Sequence, residues 1–433
     1  MSESKRPRQG VMVESSRELP IVDLYIVSET GAAHDLKGRE GSLNLALRTL
    51  RRGTRHRSAR EVDVLIDRLG AELSTSTDPT SSMLHATVIR RNLVPFLDLM
   101  ADLLGYATFP DHEAAQVSRE IRAEIIDGRD DDRTLAGRHF RRSLFTNHPF
   151  GRPSAGTPRT LEEVTRDDAV SMWNRTFRQE NVILAASGDI TDDEMNGFAT
   201  RVFPTLRKGP LPAREVPDPA PVKGRNLVIV DKPGRSQTQI YIGNLGSHPR
   251  DRDHVALHVA NTIFGGTFTA RLMREIRSKR GWSYGASSRM GRDRAREAWS
   301  MWTFPSAADA PACVALQLKM LEHFVNKGVT ARELSFARSY LARSFAFEID
   351  TASKRLWHRI DTQVLDLPKR YFTDQVERVM SVTLDEVNAA IRHRLSSDDL
   401  LITVVATASE IRKRLEDAIP HLASTRIIPF DTD

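Results

Sequence analysis

Few side chains in this 433-residue sequence stand in patterns that could do chemistry, and each pattern has a bland competitor. His254 and His258 lie one helical turn apart, the spacing at which two imidazoles can share a metal ion. No glutamate stands between them, so zinc is not assigned there. His148, in Asn147-His148-Pro149, is read as a turn histidine before proline rather than a ligand. The glycines of Phe264-Gly265-Gly266-Thr267 invite a phosphate-loop reading. No Lys-Ser/Thr follows them and no dinucleotide fingerprint is present, which argues against a nucleotide site. The single Cys313 can form no internal disulfide.

The elements that must position these residues recur along the chain. Asp23-Leu24-Tyr25-Ile26 resembles Gln239-Ile240-Tyr241-Ile242, both alternating strand patterns. The segment ending Leu50-Arg51-Arg52-Gly53-Thr54 resembles Ile263-Phe264-Gly265-Gly266-Thr267, and Gly70 to Ser76 resembles Gly281 to Ser287. Val164-Thr165-Arg166-Asp167-Asp168 resembles Val382-Thr383-Leu384-Asp385-Glu386, where each Thr predicts a helix N-cap closed by the acidic residue three further on. Apolar strands follow, at 182–186 and 400–405. The offsets drift only between 281 − 70 = 211 and 382 − 164 = 218, so the chain reads as two copies of one unit. The predicted division is 1–205, a proline-rich connector over 206–225, and 226–433. Helix signals between strand signals predict an α+β fold, two homologous domains each with a mostly antiparallel sheet covered by helices on one face.

Composition sets the outer bounds. The chain is too long for one core, which stops growing near about 250–300 residues. With 40% hydrophobic and 28% charged residues it reads as globular, and no run approaches the ~20 apolar residues of a membrane span. The net charge of +6 comes from Arg scattered among Glu and Asp, a solvated surface rather than a nucleic-acid tract. The polar start MSESKRPRQGVMVESS lacks the apolar core of a secretory signal. A cytoplasmic setting is expected, or a periplasmic one if a leader has been removed.

Lys37 to Thr54, followed by the capping-box residues Ser58 and Glu61, resembles the helix that bears the inverted zinc motif HxxEH in pitrilysin/insulinase-type peptidases. In active members two His bind zinc and the Glu activates water. Here those positions read Asn44, Leu47 and Arg48. Leu has no lone pair, Arg stays protonated and an Asn amide is a poor zinc ligand, so metal and general base are lost together. The resemblance makes Glu124, at 124 − 48 = 76 positions beyond Arg48, the leftover third ligand. Complementary charge predicts that it pairs with Arg48 instead. Leu43, Leu47 and Leu50 form an apolar stripe that keeps the helix packed.

A second resemblance is intact. Phe264 through Tyr284 is similar to the family's segment GGGFSSRLFxEIREKRGLAYS, of which the family uses an Arg and a Tyr seven positions apart. Arg277 and Tyr284 match, and Gly265, Gly266, Thr267 and Phe268 fall on the part implied to touch substrate. Lys279-Arg280-Gly281 predicts a basic helix end with a glycine cap, Arg277 on its last turn and Tyr284 on the next strand. A guanidinium and a phenol can hydrogen-bond a scissile carbonyl and steady its oxyanion. The resemblance therefore implies a non-metal-binding subunit, half of a clam-like dimer. A zinc-binding homologous partner would hold the metal and cleave peptides, this chain needing no cofactor, nucleic acid or membrane. The alternatives are a structural, assembly-core protein of the same fold and a stand-alone peptide binder.

Overall fold

The strands run where apolar alternation places them in the computed structural model, which describes residues 10–209 and 215–432. The first sheet contains β1 (Gly10–Ser15), β2 (Ile21–Ser28), β3 (Glu72–Thr77), β4 (Ser82–Ile89) and β5 (Val182–Gly188), in the spatial order β1-β5-β2-β4-β3. The second contains β6 (Arg225–Asp231), β7 (Gln239–Leu245), β8 (Ala286–Met290), β9 (Ala298–Thr303), β10 (Leu400–Ala406) and β11 (Leu422–Pro429), in the order β11-β6-β10-β7-β9-β8. Apart from the added edge strand β11, the two orders are the same. Register agrees as well. Ile26 stands opposite Leu84 and Leu184 in one sheet, and its counterpart Ile242 opposite Met301 and Ile402 in the other. The β1–β5, β6–β10 and β6–β11 pairs are parallel and the rest antiparallel.

One face of each sheet carries the main core. Leu24, Ile26, Leu84 and Leu184 pack against helices that include Ser42–Thr49, Leu93–Tyr106 and Asp111–Asp127, while Ile229, Ile242, Met301 and Val404 do the same in the second half. The opposite face is covered too, which the one-face expectation did not include. Strands β5 and β10 are apolar on both sides, so both sides need cover. The cover is exchanged between the halves. Helix Asp132–Leu144, from the first half, lays Leu135, Ala136, Phe140 and Leu144 on Val228, Val230, Leu401 and Val405 of the second sheet. Helix Ala352–Val364, from the second half, lays Leu356, Ile360 and Val364 on Tyr25, Val27, Ile183 and Ala185 of the first.

Polar ties reinforce the junction. Arg141 makes a two-pronged bond to Glu297 (3.0 and 2.6 Å), and Lys232 reaches Asp132 at 2.8 Å. The Thr80 hydroxyl donates to buried Asp293, and Arg294 donates to the carbonyls of Glu29 and Thr80, each at 2.8 Å. Of the predicted connector, residues 210–214 with Pro210 and Pro212 lie outside the described residues. Residues 215–224 form neither helix nor strand, and Val222 exchanges hydrogen bonds with the Asn244 side chain.

Candidate functional site

Helix Ser42–Thr49 begins at Gly41, whose φ of +98° suits glycine, and its first turn is held by Asp35. The Asp35 carboxylate accepts from the backbone N–H of Gly41 (2.8 Å) and of Leu43 (3.1 Å). Burial nevertheless pushes its pKa up to about 7. Leu43, Leu45, Ala46, Leu47 and Leu50 are buried, so the apolar surface is wider than the three-leucine stripe predicts. Only Asn44 and Arg48 keep partial exposure on this helix. Leu47, at the general-base position of the motif, is sealed in the core.

Arg48 and Glu124 meet in a two-pronged pair, Nη1 to Oε2 at 2.5 Å and Nη2 to Oε1 at 2.6 Å. The bond to Glu124 raises the Arg48 pKa, and the same bond holds the Glu124 carboxyl below the usual carboxylate range. Glu124 comes from helix Asp111–Asp127, so the pair bridges two helices. A cleft of about 300 Å³ opens beside it, lined by Arg48, Arg51, Arg52, Leu73 and Thr75. Its cations are neutralised, Arg51 by Asp63 at 2.6 Å and Arg52 by Glu120 at 2.9 Å. Among the described residues no three His, Cys, Asp or Glu side chains are grouped as a metal ion requires.

The second constellation is built from two single-turn π segments, Thr262–Gly266 and Arg274–Ser278, which flank a loop and a short helix. Such turns are over-represented at functional sites. Gly281, at φ +65°, ends the helix, its N–H donating to Arg277 O and that of Trp282 to Ile276 O. Arg277 sits in the second π turn with its guanidinium over the Phe268 ring, 4.6 Å from the centroid. Tyr284 lies in a bend two residues before β8 rather than on the strand, because β8 begins at Ala286. Its side chain is 82% exposed and that of Phe268 67%. Among the described residues, neither the Arg277 guanidinium nor the Tyr284 hydroxyl has a hydrogen-bond partner. The neighbouring cations do not share that freedom, since Lys279 and Arg280 are both bonded to Glu275.

The glycine loop divides by role. Gly265 is buried, and a Cβ there would stand 2.4 Å from Ser288 N, so the glycine is needed for close approach to β8 and is withdrawn from any substrate. Gly266 and Phe268 are exposed and Thr267 is partly so. Nothing in the sequence reading singled out Phe336 and Tyr340, which stack on each other at 6.2 Å while half exposed. Their i, i+4 spacing on an otherwise polar helix face was the available signal. Arg271 and Glu333 bond at 2.6 Å and tie that helix, Ala331–Ser344, to the short helix after the loop.

The remaining candidates are structural. His148 Nδ1 accepts from Phe150 N–H and its Nε2 therefore donates to Pro217 O at 2.7 Å. Burial pushes the Cys313 thiol up to about 12, which removes it as a nucleophile. The geometry thus joins Arg48 with Glu124 and Arg277 with Phe268, and leaves Tyr284 projecting by itself.

Known proteins share this organisation. Residues 11–158 match the family profile described as insulinase (peptidase family M16), and residues 163–341 match that of the peptidase M16 inactive domain. The chain is 27% identical over 372 residues to an uncharacterized zinc protease of Mycobacterium tuberculosis, covering 84% of this chain and 82% of the relative. It is 21% identical over 405 residues, 93% of each chain, to the non-peptidase homolog YmxG of Helicobacter pylori. The crystal structure of a peptidase M16 inactive domain from Pseudomonas fluorescens superposes with a TM-score of 0.84 at 24% identity, covering 91% of this chain and 94% of the other.

Proposed function

The chain belongs to the insulinase-type M16 peptidase family, and from that premise we propose that it is the zinc-less subunit of a two-subunit metallopeptidase. The observation that carries this reading is the contrast between its two constellations. Where an active member would hold zinc, the chain has closed the position with the Arg48–Glu124 pair and a buried Leu47. Where only hydrogen-bond donors are wanted, it keeps Arg277 free of an acceptor and Tyr284 open to solvent. Both donors are thus available to an acceptor from outside the chain. In the proposed assembly a homologous partner supplies metal and general base. Arg277 and Tyr284 reach the scissile carbonyl of an unstructured peptide and donate to the oxyanion that forms on it. Phe268 holds the guanidinium plane in position by stacking.

The test is to mix the purified chain with a partner subunit bearing HxxEH and to follow cleavage of unstructured peptides. Addition of the chain is expected to raise the partner's activity. Arg277→Ala and Tyr284→Phe should each lower kcat by about 10²–10³-fold while the complex still forms on a sizing column. A partner equally active alone, or a complex indifferent to both substitutions, would favour the assembly-core reading instead.

A further inference from the structure

Away from both constellations, one small, partly open cleft carries a cluster of hydrogen-bond donors in its wall. It lies where helix His254–Asn261, the residues just after β8 and the segment 371–379 meet. Its volume is about 150 Å³ and its polar lining is His254, His258, Arg292, Tyr371, Gln375 and Arg378. At about 30 Å³ per water molecule, that is room for roughly five waters or one compact oxyanion.

No carboxylate lines the cavity, and the cations around it are under-used. Arg378 stacks on the Tyr371 ring at 4.6 Å and gives one N–H to the Tyr371 carbonyl. Its Nε is buried without an acceptor, and among the described residues no carboxylate pairs with it. Arg292 commits Nη2 to Asp361 at 2.5 Å. His254 uses Nδ1 on the Ser247 hydroxyl at 2.8 Å, which leaves Nε2 unengaged. The His258 ring has no hydrogen-bond partner among the described residues.

Two readings of the paired histidines compete here. A metal ion would have to sit beside two guanidinium cations with no third ligand group at hand. An anion would satisfy the same guanidiniums and the unspent donors together. Burial keeps both imidazoles neutral, His254 being pushed down to about 3, so they enter as N–H donors and not as competing charges.

We propose that this cavity binds a compact tetrahedral oxyanion, phosphate or sulfate, held chiefly by Arg292, Arg378 and His258. Occupancy would fasten segment 371–379 to helix His254–Asn261. That segment follows helix Ala352–Val364, which crosses to the first sheet, and Asp361 on the crossing helix is already bonded to Arg292. The site would therefore anchor the root of the exchanged helix.

Isothermal titration of the full chain with inorganic phosphate, in chloride buffer at constant ionic strength, tests this. One saturable site per chain is expected, weakened at least 10-fold by Arg378→Gln and by His258→Gln. Sulfate should compete and acetate should not. Glycerol phosphate binding as tightly as phosphate would assign the site to phosphate esters, and its exclusion would assign it to the free ion. Either result supports the site. Absence of saturable binding by both phosphate and sulfate, tighter binding of acetate, or binding that survives both substitutions would overturn it. Should Arg378→Gln fail to fold, His258→Gln and Gln375→Leu carry the same comparison.

Discussion

Arg48 stands one helical turn from Asn44 and turns its guanidinium on Glu124, so two side chains join neighbouring helices. The pair is worth little in stability, because Glu124 is 60% exposed and such pairs contribute about 0–1 kcal/mol. Arg48→Met should cost no more than about 1 kcal/mol in urea unfolding at pH 7. The Glu124 pKa is lowered in the folded state. Its contribution is therefore complete above the ordinary Glu value of about 4.3 and disappears as pH falls through the lower folded value. Wild type and Arg48→Met should accordingly converge in stability once the pH falls below that folded value, and a gap that persists in acid would show that packing, not charge, explains the loss. This pairing was legible once the resemblance had singled out Glu124, because complementary charge then points it to Arg48. The division of the glycine loop was not, since only the approach of Ser288 explains Gly265.

Local signals carried most of the secondary structure. Capping boxes at Ser58/Glu61, Thr165/Asp168 and Thr383/Glu386 form as their spacing predicts, because their hydrogen bonds close within one turn. The matched strands fall where their patterns put them, except that β8 starts two residues beyond Tyr284, and the duplication is visible in the shared strand order. The π turns were not legible, because a one-residue widening leaves no compositional trace. Nor was the exchange of helices. The apolar residues of Asp132–Leu144 announce a buried face without saying which sheet buries it. Phe140, 4% exposed, is central to that contact. Phe140→Ala should cost about 3–5 kcal/mol, and scanning calorimetry should show one transition moving to lower temperature. Two separated transitions, with only one displaced, would mean that the halves fold independently.

Across the whole molecule, the junction between halves holds a buried ionisable group. Burial raises the Asp293 pKa to about 6 even though its Oδ1 accepts from Thr80 and from Arg294 N–H. The folded state then keeps a proton that the unfolded chain releases near pH 4. The associated stability is present below the unfolded pKa and is lost as pH rises through about 6. Asp293→Asn preserves both acceptor bonds on Oδ1 and removes the charge. It should stabilise the protein by about 1–3 kcal/mol at pH 8 and leave it nearly unchanged at pH 4, as measured by denaturant titration at both pH values. A uniform loss at both would assign Asp293 a purely structural role. The exchanged helices have a consequence of another kind, for ancestry. Since each copy lends the other the helix that closes its sheet, a gene encoding either copy alone would specify an unfinished product with a bare apolar surface. A lineage could divide this reading frame in two and still assemble the protein from its pieces, but it could not discard one of them.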